Sequence, residues 1–495
     1  MSAPETGTAP AANPLDDAAA PSGGAIGALE QRGIEPVPES ERDGNPLQLF
    51  WVWFAANISV LGLPLGVSLV VLGLSVWQSI LVAVLGAFGS FAVVGLISVA
   101  GRRGGAPSLT LSRAVFGTRG NAGPAAVALV SRLGWETVNT STAALAVVTI
   151  VSLVAGTGGD AKSAPVIAVL GVVLFVAFTV AVSGMGHGVI LLVQKWSTWI
   201  FGGVNLLILG FLVATIDWSH VAQAPHGSTA AVVTGIGTIA AGTGIGWANS
   251  GADMARYQAP RVRALSLVMS ASAGAGIPLV VMISMGSMLG TSDAGIAASA
   301  NPLDAIRDTL PHAVAVIYLL VSFVGLLLSN HLSVYSAGLT TLTLGLRVKR
   351  VHAVLVDVVV TTTGSLLFLL VADGFYGPFI TFISLLAVPI SAWVGIFLVD
   401  MARRRHYDPE ALLDLSPGSA YFYRGGVRWA ALGPWLIAIV VAALFLRIAP
   451  GEQAWYTGPF ADTWIGANGM AWVLSAVIGG VLYALVALRT RGSAS

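Results

Sequence analysis

The chain has 495 residues, of which 56% are hydrophobic and only 9% charged, with a net charge of +1 and a mean hydropathy of +0.84. A soluble domain carries about 25% charged residues, so the composition excludes one and points to a polytopic membrane protein. There is no cysteine, which excludes disulfides and thiolate metal sites. The seven histidines show no paired metal-ligand spacing and no Walker-type phosphate loop is present, so no metal, no cofactor and no nucleic-acid partner are expected.

Residues 1–44 read as a disordered cytoplasmic tail, rich in Ala, Pro, Gly, Asp and Glu and without helical apolar periodicity. They lack the basic start and apolar core of a signal peptide. A membrane span needs about 20 apolar residues. On that criterion the spans run roughly over 48–74, 77–101, 122–154, 164–184, 189–216, 229–251, 265–289, 312–345, 351–372, 376–400, 429–448 and 464–488. With the tail in the cytoplasm, nineteen Lys and Arg fall in inside segments, against three outside: Lys162, Arg307 and Arg447. That bias obeys the positive-inside rule and sets both termini in the cytoplasm, with the cytoplasmic (inner) membrane as the expected location.

Span one contains Asn57-Ile58-Ser59-Val60-Leu61-Gly62-Leu63-Pro64-Leu65-Gly66. Proline removes a backbone donor and clashes with the preceding turn, so a break is expected near Pro64. Span six contains Gly242-Thr243-Gly244-Ile245-Gly246-Trp247-Ala248-Asn249, three glycines in one stretch of helix. Glycine lowers helix stability by about 1 kcal/mol relative to alanine, and unwound backbone survives in a bilayer only where protein buries it or it lines a cavity. Spans one and six occupy matching positions in two five-span halves, 45–216 and 229–400. Broken segments at matching positions point to an inverted-repeat transporter with its site at the bilayer midplane. Spans eleven and twelve (429–488) lie outside the repeat.

Span three holds Trp135 and Asn139 at i, i+4, on one helix face. A ring with an amide one turn away can stack on and hydrogen-bond a planar heterocycle; packing and an interhelical bond are the alternative. Glu136 is a carboxylate deep in a span, which suggests function by default. It pairs with Arg132 one turn away, relays protons, or contacts substrate in a vestibule. In span six, Gly244 and Gly246 free the backbone to face a ligand, with Trp247 beside them. Asp253, Arg256 and Tyr257 read as a local structural ion pair at the interface. Span eight places Asn330 and His331 in the middle of an apolar run. The titratable groups of the spans show no convergent catalytic set, so no enzyme is expected.

These residues resemble the nucleobase–cation symporter family in its purine–cytosine permease branch. The resemblance runs from about Gly33 to Asp400. It is carried by Gly33-Ile34-Glu35-Pro36-Val37-Pro38, Trp53-Phe54-Ala55-Ala56-Asn57, Ser112-Arg113-Ala114-Val115-Phe116-Gly117, Gly134-Trp135 with Asn139, Trp247 with Asp253-Met254-Ala255-Arg256-Tyr257, and Asn330 with Tyr335-Ser336-Ala337-Gly338-Leu339. The resemblance implies an all-α, twelve-span fold of the leucine-transporter type, a 5+5 inverted repeat with helices one and six broken. It implies a symporter whose small planar substrate, cytosine or a purine, sits between Trp135 and Trp247, with Asn139, Asn330 and the Gly244 and Gly246 backbone completing the site. Another heterocycle such as hydantoin, allantoin, a pyridoxine-like or a thiamine-like compound is the alternative, and a membrane sensor without flux a minor one. For the coupling ion, Na+ or H+, the candidates are Asn57, Val60, Glu136, Ser329 and His331. Sodium-coupled relatives use paired hydroxyls in span eight; here only Ser322 and Ser329 are available, without an adjacent hydroxyl.

Overall fold

The computed structural model describes residues 32–156, 161–184, 187–299, 302–345, 350–371, 376–449 and 454–492. Among them, six helices are long and apolar enough to cross a membrane: Val76–Gly104, Ala122–Ala155, Thr229–Ser250, Ala264–Ser292, His312–Thr343 and Thr381–Arg403. Pro46–Asn57 and Gly62–Val71 form a further span bent by 64°, and five shorter apolar helices begin at Pro165, Thr198, Leu355, Trp429 and Ala471. Together these fill the twelve expected positions. Large apolar side chains such as Trp77, Val154, Leu206 and Val440 are exposed on the outside of the bundle, where a bilayer rather than water would cover them.

Both expected breaks are present. In span one the helix stops at Asn57 and restarts at Gly62. Pro64 is not at the break. It sits in the first turn of the second half, where its missing N–H has no intrahelical partner to lose. The break lies before it because Ile58–Leu61 leave the helical ladder and turn through bonds such as Gly62 N–H to Ser59 O at 3.2 Å. In span six the regular helix ends at Ala240, widens through a π-turn over Ala241–Ile245, and leaves helical geometry at Thr243 (φ −127°, ψ −105°).

Spans one and seven pack backbone to backbone. A Cβ on Gly66 would lie 2.0 Å from the Ile283 carbonyl oxygen, and one on Gly286 would lie 2.1 Å from that of Leu63. Without a hydrophobic drive between helices in lipid, small residues that admit close approach supply the packing. Span twelve begins at Ala471 rather than 464, because Gly469 (φ +64°) turns the chain after a separate short helix, Trp464–Ala467.

The arginines gather at one end of the bundle. Arg103 donates to the carbonyls of Met401 and Arg404, and Arg113 to those of Leu412 and Thr343. Burial lowers the Arg113 guanidinium to about 10. Residues 32–44, expected within the disordered tail, are built into this end. Val37 N–H donates to Gly105 O at 2.8 Å, Arg42 to Val37 O and Arg102 O at 2.8 Å each, and Gly44 exchanges backbone bonds with Tyr257 and Ala259. The remainder of that expected tail, 1–31, lies outside the described residues.

Candidate functional site

The two breaks face each other across a small cleft. Asn57, Ser59, Trp135, Asn139, Trp247 and Ser329 line it, so spans one, three, six and eight all contribute. A larger cavity lies beside it, includes Trp472 and Arg447, and shares Leu65 with the cleft. The apolar cluster of Val138, Ala241, Ile383 and Ala387, with Phe382 and Trp135 against it, stands between the two.

Each tryptophan is held from behind. Trp135 meets Phe382 edge to face at 6.2 Å, and a Cβ on Gly246 would come within 3.2 Å of its indole nitrogen. Trp247 meets Trp53 edge to face at 5.4 Å, and the Arg132 guanidinium lies 4.3 Å from its ring centroid, a cation–π contact. Asn139 and Asn330 are brought together. Asn139 Nδ2 donates to Asn330 Oδ1 at 3.3 Å, and Asn330 Nδ2 donates to Thr179 Oγ1 on span four at 3.2 Å. Among the described residues, no donor reaches the buried side-chain carbonyl oxygen of Asn139. Orphaned polar groups of that kind in a cleft wall mark where a ligand can bond.

Three expectations need correction. Gly244 does not face the cleft. Its amide donates to Ser90 Oγ at 3.1 Å, and an added Cβ would strike the Ser90 backbone at 2.5 Å, so this glycine serves the packing of span six on span two; Gly242 and Thr243 face the cleft instead. Arg132 makes no ion pair with Glu136. It reaches across to span six and donates to the Gly246 carbonyl, which the break has freed from the helical ladder. Asp253 and Arg256 are closed by separate bonds rather than by one local pair. Asp253 accepts from Ser108 N–H at 2.8 Å and Ser336 Oγ at 2.6 Å. Arg256 donates to Gly33 O at 2.6 Å, Tyr335 OH at 2.8 Å and Tyr257 OH at 3.1 Å. Burial raises the Asp253 carboxyl to about 6, against the Ser336 and Ser108 bonds that lower it. The result is a latch that ties the end of span six to span eight, Ser108 and Gly33.

The cation candidates are scattered. Asn57 and Ser329 line the cleft, while Val60 lines a different cavity with Tyr318 and Ser322. The Asn57 amide donates to Trp53 O at 2.8 Å, and His331 turns Nδ1 to Leu327 O at 2.8 Å. Where span eight meets the break of span one it presents Gly325, whose added Cβ would lie 3.0 Å from Ile58 O, and the Ser322 hydroxyl donates back to Tyr318 O at 2.6 Å.

Residues 36–481 match the family described as permease for cytosine/purines, uracil, thiamine and allantoin. The chain belongs to that family. It is 25% identical over 466 residues to YxlA of Bacillus subtilis (strain 168), which carries a purine-cytosine permease name, with 92% of this chain and 95% of that one covered. It is 28% identical over 261 residues to the purine-cytosine permease FCY2 of Saccharomyces cerevisiae (strain ATCC 204508 / S288c), covering 52% of this chain and 47% of that one. Among solved structures it superposes on Mhp1, a nucleobase-cation-symport-1 family transporter, in a closed conformation with bromovinylhydantoin bound (TM-score 0.71, 20% identity, 94% of this chain and 97% of that one). An inward-facing conformation of Mhp1 gives a TM-score of 0.70 at 18% identity, covering 94% and 96%. The protein is thus a multi-pass membrane permease with the expected fold, and not an enzyme.

Sequence reasoning missed several residues of the site. Thr179 and Phe382 carry no signal, because their roles arise only from interhelical contact. Outside the cleft, Asp357 did carry one: it is an isolated carboxylate in span nine, open to the reasoning applied to Glu136.

Proposed function

We propose that this permease imports a nucleobase, cytosine or a purine, by cation symport with alternating access. The observation that carries this reading is the cleft itself, lined by a tryptophan from each of spans three and six and by Asn139, whose side-chain oxygen meets no donor among the described residues. Base–aromatic stacking contributes about 1–3 kcal/mol per base. The Asn139 oxygen suits a ring N–H or exocyclic amine, and leaving it unpaired against a ligand without one costs about 1–3 kcal/mol. We read the arginine-rich end as cytoplasmic, on the strength of the nineteen-to-three charge bias. The latch then lies on the inner side. Exchange between states would come from spans one, two, six and seven rocking against the rest.

A second planar heterocycle is the rival substrate, since uracil, thiamine and allantoin share the family description and Mhp1 binds a hydantoin. A melting-shift panel of the purified protein with nucleobases and these compounds, with and without sodium, separates the readings, because a ligand that binds the folded state stabilises it. Stabilisation by cytosine or a purine is expected. Stabilisation by hydantoin, allantoin or a thiamine-like compound alone would replace the primary reading with the second.

A further inference from the structure

Two carboxylic acids from different spans meet inside the bundle. Glu136 of span three is fully buried, and Asp357 of span nine is 5% exposed. The two carboxyl groups stand within hydrogen-bonding reach of each other. Thr361, one turn along span nine from Asp357, donates its hydroxyl to Glu136 Oε2 at 3.3 Å. Glu136 Oε1 and both Asp357 oxygens meet no N–H or O–H donor among the described residues.

The nearest cation is turned away. Arg132 lies one turn before Glu136 on the same helix, yet it bonds Gly246 O and stacks on Trp247. No ion pair within 4.0 Å joins either carboxyl to a basic group among the described residues. The charged groups acting on Glu136 are Asp357 and, from a distance, Arg132, which also feels Asp253. On span eight, His331 is directed at the Leu327 carbonyl. Two adjacent carboxylates cannot both ionise in a low-dielectric interior without a counter-ion. They satisfy each other when they share a proton, one donating and the other accepting, as paired carboxyls do elsewhere.

We propose that the Glu136–Asp357 pair is the site that binds and releases the coupling proton. The proposal rests on the transport reading above and adds the ion to it. Glu136 follows Trp135, which lines the cleft, while neither carboxyl lines it. One proton enters the pair with substrate on one side and leaves it on the other, and no further reactant is needed.

The test uses the full chain in sealed vesicles containing a pH dye, with labelled cytosine as the probe and, in parallel, labelled adenine and hypoxanthine. Substrate entering down its own gradient should acidify the lumen. An inward gradient of one pH unit should sustain about tenfold accumulation at one proton per substrate, since one pH unit corresponds to a tenfold ratio. In Asp357→Asn and in Glu136→Gln the pH-driven accumulation should collapse to equilibration, while the ligand melting shift and counterflow exchange at equal pH persist. Wild-type entry that moves no protons overturns the proposal, and needs no variant to fold. Accumulation driven by a sodium gradient at equal pH and unchanged in both variants overturns it too. Failure of the wild type to bind or exchange any base would remove the transport reading itself, and this proposal with it.

Discussion

Removing the Trp135 ring is the sharpest perturbation of the cleft. Trp135 is half-buried, lines the cleft, and leans on Phe382 at 6.2 Å and on Gly246. If it stacks on the substrate, Trp135→Ala loses about 1–3 kcal/mol of binding, which is about 5- to 150-fold in Kd at 1.4 kcal/mol per tenfold. It also removes the edge-to-face contact with Phe382, about 0.5–1.5 kcal/mol, so the ligand-free protein should melt lower as well. Trp135→Phe keeps a ring and should lose clearly less of both. Calorimetric titration with cytosine and purines measures Kd, and a ligand-free melt reports the folding contribution separately. Equal affinity in wild type, Trp135→Phe and Trp135→Ala, with folding intact, would refute stacking and leave Trp135 a packing residue.

Three more outcomes follow from particular contacts. Gly286→Ala should lower the ligand-free melting temperature, because its Cβ would sit 2.1 Å from the Leu63 carbonyl oxygen and overpacking costs about 1–3 kcal/mol; an unchanged melt would refute the close packing of spans one and seven. Asn139→Ala and Asn330→Ala should not be additive in substrate affinity, since the two amides share one bond at 3.3 Å; a double-mutant cycle should give a coupling of about 0.5–3 kcal/mol, and strict additivity would refute a shared role. The latch should tighten on acidification. With the Asp253 carboxyl raised to about 6 by burial, the closed form binds a proton that an opened, solvated Asp253 releases, so closure is favoured at low pH and weakens as pH rises through about 6. Hydrogen exchange at 251–257, corrected for intrinsic rates, should slow from pH 7 to pH 5 in wild type and lose that dependence in Asp253→Asn.

The spans and the two breaks were legible because each rests on local physics: apolar length, glycine content and charge bias. Proline misled by a few residues, since Pro64 is compatible with the first turn of a helix and the break fell just before it. The roles of individual polar residues were less legible. Glycines serve close packing as readily as ligand access, which is why Gly244 faces Ser90 while its neighbours Gly242 and Thr243 face the cleft. Arg132 and Glu136 share a helix face, but Arg132 found an acceptor freed by the break in another span. The order of 32–44 could not be read locally either, because Gly33 is held by Arg256 and Gly44 by Tyr257, more than two hundred positions away in sequence.

The central claim is that the cleft between the two broken spans carries a nucleobase across the membrane. Saturable uptake of labelled cytosine and purines into vesicles holding the purified full chain tests it most directly. The account predicts uptake competed by unlabelled nucleobase and abolished or strongly weakened in the Trp135→Ala, Trp247→Ala double variant. Uptake absent for every base tested, or present and indifferent to that double variant, would contradict it.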